Sequence, residues 1–181
     1  MRGVMIFSHN MEDIEALGTR ALLRRAGLNI TALTFENTLD IKTSYGLMVK
    51  ADGFANEIDI DQFDFIVIPG GKYVSLVVDQ DIHIKALCKS FHKQHKLVAA
   101  ICAGPRFLGQ AGLLNNIHFT AYPGSEADAL EGIYHPDMKS MRDKNIITGR
   151  SAGSVYEFSF EIIKYFLGED KLVNLIKNIK Y

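Results

Sequence analysis

KLVAAICAGPRFLGQAGLL, residues 96 to 114, joins an apolar run, Leu97 to Ile101, to a helix-like stretch that begins at Pro105. Apolar residues in the run do not alternate with polar ones. They therefore predict a strand buried on both faces, as in a parallel sheet. Pro105 suits the first turn of a helix, where its missing N–H goes unused. Cys102 falls at the junction. A side chain there lies near unpaired N–H groups and the positive end of a helix dipole, both of which favour thiolate. The layout parallels the strand–turn–helix elbow that presents nucleophilic serines. A buried free cysteine acting as a small hydrophobe is the plainer alternative, and position alone leaves both open.

Outward from this segment the chain alternates in the same way. Val4 to Phe7 and Phe65 to Ile68 are apolar throughout and predict buried strands, with Leu28 to Phe35 as another. Glu12 to Ala26 places Ile14, Leu17, Ala21, Leu22 and Ala26 at helical spacing, with Gly27 as the stop. Asp81 to His95 predicts a helix with Ile84, Leu87, Cys88 and Phe91 on one stripe. Tyr45 to Phe54 predicts an excursion or hairpin with Asp52-Gly53 as its turn. Pro105 to Leu114 predicts a helix, and Ile117 to Tyr122 and Asn145 to Thr148 shorter strands. Helices over Val155 to Leu167 and Lys171 to Ile179 close the chain. Strands alternating with helices imply an α/β fold, a mostly parallel sheet with helices on both faces joined by right-handed crossovers. Ligands gather at the carboxyl ends of such strands. Two loops stand out there, Pro69-Gly70-Gly71 and Cys102-Ala103-Gly104-Pro105.

With 181 residues, 48% of them apolar, the chain is long enough for one well-packed domain spanning 1–181 and short for two. A net charge of −1 supplies no general attraction to nucleic acid or to an anionic membrane. No apolar run approaches the roughly 18 residues of a membrane span, and Met1 to Asp13 lacks a signal-peptide pattern. Two cysteines, Cys88 and Cys102, are too few for a disulfide framework, so a reducing cytoplasm is the expected compartment.

Consecutive glycines after a strand let a backbone N–H aim inward, which suits an oxyanion hole beside a nucleophile; a simple tight turn needs the same residues. Glu12 and Asp13 are placed to complement a helix dipole. Glu15 lies where the first strand hands over to its helix, and its carboxyl can share a proton with a thiol at the sheet end. No GxGxxG or P-loop is present to cradle phosphates. The six histidines form no zinc spacing with the two cysteines, so no metal is expected. Cys88, on the apolar stripe, is expected in the core.

Ala99-Ala100-Ile101-Cys102-Ala103-Gly104-Pro105, preceded by Ile68-Pro69-Gly70-Gly71, resembles the DJ-1/ThiJ/PfpI superfamily on its DJ-1/ThiJ branch. Arg24-Arg25-Ala26-Gly27, the Tyr45-Gly46 to Asp52 excursion and Ile147-Thr148-Gly149-Arg150 leading to Glu157-Phe158 fit as well. The resemblance implies a flavodoxin-like three-layer sandwich, a homodimer, and Cys102 as reactive cysteine with Glu15 as its hydrogen-bonding glutamate. It implies Gly71 and Ala103 N–H groups as oxyanion donors, with Gly70, Tyr122 and Arg150 as further pocket candidates. The implied activity is cofactor-independent glyoxalase or deglycase chemistry on 2-oxoaldehydes such as methylglyoxal. The alternative is an oxidative-stress sensor or chaperone-like protein acting through oxidation of Cys102. Ala103 stands where PfpI-type proteases carry histidine, which argues against peptidase activity. Tyr122-Pro123 stands where animal members often carry histidine before proline.

Overall fold

The computed structural model describes all of residues 1–181. Its strands are β1 (Arg2–Ile6), β2 (Asn29–Thr34), β3 (Asp40–Lys42), β4 (Met48–Lys50), β5 (Gly53–Phe54), β6 (Phe65–Ile68), β7 (Leu97–Ile101), β8 (His118–Phe119), β9 (Ile133–Tyr134), β10 (Ser140–Asp143) and β11 (Ile146–Gly149). The helices are α1 (Thr19–Ala26), α2 (Lys72–Val77), α3 (His83–Lys93), α4 (Pro105–Gln110) and α5 (Val155–Ile179). Seven strands form one sheet in the order β10-β11-β7-β6-β1-β2-β5, parallel except for β10. β3 pairs with β4 and β8 with β9 outside it.

The continuous apolar runs became the central strands because helices cover both faces. β6 and β7 are buried at every residue, as is β1 after Arg2. Right-handed crossovers force this covering. The chain steps from β1 to β2 in one direction and from β6 to β7 in the other, so the intervening helices lie on opposite faces. α1 accordingly packs against α5, and α3 against α4. The α3 stripe of Ile84, Leu87, Cys88 and Phe91 is buried as its spacing predicts. No helix is long and apolar enough to cross a membrane.

Several elements differ from the sequence expectation. The helix expected from Glu12 opens instead as a π-helical turn, Ile14–Gly18, before α1. Its inward residues are Glu15, Ala16, Thr19 and Leu23, while Ile14 and Ala21 are exposed. The apolar stripe read from spacing therefore lies partly on the surface. The hairpin turns at Thr43–Leu47, between β3 and β4, and not at Asp52-Gly53. Asp52 instead ties into β2, its carboxylate accepting the Ala32 N–H at 2.8 Å, and Gly53–Phe54 pairs with β2 as an edge strand. α2, β9 and β10 are further elements, each too short to show a period. The expected strand Ile117 to Tyr122 is regular only over His118–Phe119. The two closing helices abut within α5 and are divided by non-helical backbone at Gly168, which sits at φ 79°, ψ 174°.

Candidate active site

The order of strands reverses between β1 and β6, and there the carboxyl ends open a crevice. Three connections meet at it. The one after β1 brings Glu15, the one after β6 brings Pro69-Gly70-Gly71, and the one after β7 brings Cys102.

Cys102 holds φ 63°, a left-handed conformation uncommon for any residue with a Cβ. Neighbouring backbone imposes it. The Cys102 N–H donates to Gly149 O at 2.9 Å, tying the elbow to the end of β11. The Cys102 carbonyl accepts the Tyr122 N–H at 2.8 Å. Gly104 closes the turn so tightly that a Cβ there would lie 2.6 Å from Ile68 O. Strain of this kind recurs at strand–helix junctions that present nucleophiles. Cys88, by contrast, is fully buried in the core.

Glu15 is 1% exposed, the only Asp, Glu, Lys or Arg buried in the chain. Its carboxyl accepts the Gly70 N–H at 2.9 Å and the Ala152 N–H, and it shares a hydrogen bond with the Cys102 thiol. Gly70 fits between the two side chains because it has none. A Cβ there would meet Glu15 Oε2 at 2.6 Å, Cys102 Cβ at 2.7 Å and the Ala103 nitrogen at 3.0 Å. Beneath the loop, buried Tyr73 donates its hydroxyl to Pro69 O at 2.7 Å.

Burial is the main reason that the Glu15 carboxyl is pushed up to about 7, with the negative charge of Glu12 adding to it and the Cys102 and amide hydrogen bonds opposing. The Cys102 thiol is also pushed up, first by burial and then by the Glu15 charge, while the Ala103 N–H pulls it down. Their shared hydrogen bond acts on the partners in opposite senses, stabilising the Glu15 carboxylate and the Cys102 thiol. The two groups therefore titrate as a pair. Its first proton leaves near neutrality, and loss of the second is opposed by the charge already present.

Gly71 adopts φ 118°, ψ 174°, a region reserved to glycine, and a Cβ there would strike Glu12 N at 2.4 Å. Its N–H meets no backbone acceptor. The Ala103 N–H points at the sulfur. Tyr122 joins the elbow through its backbone and leaves its ring half exposed. The Arg150 guanidinium donates to Pro136 O at 3.3 Å. Glu12 caps the π turn, its carboxylate accepting the Glu15 N–H at 2.7 Å, whereas Asp13 accepts from the Thr43 hydroxyl and the Tyr45 N–H. His9 accepts the Lys42 N–H, and His135 pairs with His118. The hydrogen bond from the Ala152 N–H to Glu15 has no signature in the sequence, because a backbone N–H belongs to every residue but proline. No three His, Cys, Asp or Glu side chains converge as metal ligands. Five surface concavities of about 190 to 510 Å³ lie elsewhere, and Cys102 itself is partly buried.

The DJ-1/PfpI family profile matches residues 1–165. The chain belongs to the DJ-1/PfpI family. It is 28% identical over 177 residues to Protein dj-1beta of Drosophila melanogaster, covering 97% of this chain and 95% of that one. The crystal structure of that fly protein superposes with a TM-score of 0.91, at 27% identity, over 98% of this chain and 96% of the other. Deglycase PfpI of Pyrococcus furiosus is 29% identical over 165 residues, 91% of this chain and 98% of its own. The glutathione-independent glyoxalase DJR-1.2 of Caenorhabditis elegans is 26% identical over 174 residues, 96% and 92% of the two chains. The three-layer fold expected from the sequence is the one this family shares.

Proposed function

We propose that this DJ-1/PfpI protein is a cysteine-dependent glyoxalase or deglycase acting on small 2-oxoaldehydes such as methylglyoxal, or on their adducts. The observation that carries it is the buried Glu15 carboxyl hydrogen-bonded to the thiol of a strained elbow. Names of family members as deglycase and glyoxalase add support.

Glu15 takes the thiol proton as the Cys102 sulfur attacks the aldehyde carbon, a C–S bond forms and the carbonyl pair moves onto oxygen. Gly71 and Ala103 N–H groups hold that oxyanion, and the Glu15 acid protonates it to a hemithioacetal. Glu15, now a carboxylate, removes the C1 proton and returns it to C2 through an enediol. C1 becomes the thioester carbonyl as C2 becomes the alcohol, so oxidation at one carbon balances reduction at the other. Water then cleaves the thioester to the 2-hydroxy acid and restores the thiol. For an amine adduct, the amine leaves as the C–S bond replaces the C–N bond.

Lactate release from methylglyoxal, followed enzymatically, tests this. Cys102→Ala abolishes turnover, and Glu15→Gln lowers kcat/KM by about 10²- to 10⁴-fold, the usual worth of a general acid–base. Undiminished turnover in either variant overturns the assignment. A second reading rests on the same amide donors, which also suit a Cys102 sulfinate with protonated Glu15 as donor. Selective addition of two oxygens to Cys102 under mild peroxide, in a protein that makes no lactate, is the result that favours the sensor.

A further inference from the structure

A cavity of about 290 Å³, lined in part by Ser8, Asn10 and Glu36, does not include Cys102 or Glu15. It opens at the carboxyl ends of β1 and β2, under α2 and the start of α3, beside the same reversal of strand order. Its polar wall carries side-chain acceptors that take no donor from the protein and face the open cavity. Ser8 is only 7% exposed, yet its hydroxyl hydrogen-bonds no group of the protein, and it lines the cavity. The Asn10 carboxamide, on a residue held at φ 63°, also lacks a protein partner. Glu36 spends one carboxylate oxygen on the His9 N–H, at 3.0 Å, and forms no ion pair. Its second oxygen is free.

The other groups facing this space do not neutralise Glu36. Both oxygens of Asp81 are taken by the Ile84 and Lys85 N–H groups at the start of α3. The Lys85 ammonium turns away to Val78 O and Gln110. His9 accepts the Lys42 N–H on Nδ1, and so carries its own proton on Nε2 when neutral. His83 stacks on Phe35 at 5.4 Å between ring centroids. The opposite wall is apolar: Phe35, Tyr73, Val77, Ile84 and Leu76, which is 71% exposed at the rim.

We propose that this cavity binds a small primary ammonium ion that carries an apolar or aromatic tail. Three acceptors, Ser8 Oγ, Asn10 Oδ1 and the free Glu36 oxygen, match the three N–H donors of an alkylammonium, and Glu36 supplies the countercharge. Phe35, Val77 and Leu76 cover the tail. An anionic ligand of the same shape is rejected by two carboxylates, and a neutral alcohol leaves the Glu36 charge unpaired. The site uses neither Cys102 nor Glu15, so it stands independently of the aldehyde chemistry.

Amide NMR titration of the whole protein with 2-phenylethylammonium, 2-phenylethanol and 3-phenylpropanoate tests it. Saturable shifts centred on Ser8, Asn10 and Glu36 are expected, with the ammonium binding at least tenfold more tightly than the alcohol or the acid. Glu36→Gln keeps a hydrogen-bond acceptor for the His9 N–H and removes the charge. It should weaken the ammonium at least tenfold and leave the alcohol unaffected, while Cys102→Ala binds as the parent does. If Glu36→Gln does not fold, Ser8→Ala carries the comparison and should weaken the ammonium about threefold or more. Equal binding of the three probes, shifts centred elsewhere, or no saturation by 20 mM overturns the proposal.

Discussion

At Cys102 and Glu15, two groups that water would keep apart in acidity are brought to share one proton. The thiol is held in left-handed geometry by hydrogen bonds to Gly149 and Tyr122, and the carboxyl is drawn out of water until its proton is lost only near neutrality. Alkylation of Cys102 by iodoacetamide should therefore rise through a step near pH 7 as the pair loses its first proton. In Glu15→Gln that step should vanish, because glutamine has no proton to release. The same midpoint in both proteins would remove Glu15 from the pair. Gly70 is the residue that lets the two side chains meet, and its role is steric, since any Cβ would occupy the space they share.

The π turn, Ile14–Gly18, and the break in α5 show how elements depart from regular period for a reason. One extra residue in the turn separates the face set by Ile14 from that set by Thr19 and Leu23, and Glu15 and Ala16 turn inward. Within α5, Gly168 at φ 79°, ψ 174° divides an amphipathic helix into two. A Cβ at Gly168 would touch nothing within 4 Å, so only backbone strain opposes a side chain there. Gly168→Ala should cost about 1–3 kcal/mol, which in a domain of this size lowers Tm by about 3 to 10 °C. Thermal unfolding followed by circular dichroism measures it, and an unchanged Tm would mean that the break relaxes freely.

For the whole molecule, a carboxyl pushed from near 4.5 to about 7 ties stability to pH. The folded state holds this proton more tightly than the unfolded chain. The associated stabilisation is complete below about pH 4.5, declines between pH 4.5 and 7, and is absent above. A displacement of this size corresponds to on the order of 3 kcal/mol. Urea unfolding of the parent and Glu15→Gln at pH 5, 6, 7 and 8 should show the parent losing about that much relative to the variant. A constant difference across the series would place the Glu15 proton elsewhere.

Strands β1, β6 and β7 and the stripe of α3 were legible in the sequence, because residues buried on both faces, or along one helical face, leave an uninterrupted apolar pattern. Cys102 was legible for the same reason: a buried run that stops at a proline-led helix marks a strand end. The spacing of Ile14, Leu17, Ala21, Leu22 and Ala26 misled, since a period of 3.6 does not survive a π turn. So did Asp52-Gly53, whose turn chemistry serves an edge strand. What only the tertiary structure decided are the meetings across distance. Glu15 reaches Cys102 because the strand order reverses between β1 and β6. Gly70 and Ala152 add their N–H groups from two further loops, and Ser8, Asn10 and Glu36 line a second cavity at the same end of the sheet. Patterning along a chain reports which residues leave water, but hydrogen bonds between loops depend on the crossovers that fold those loops onto one end of the sheet.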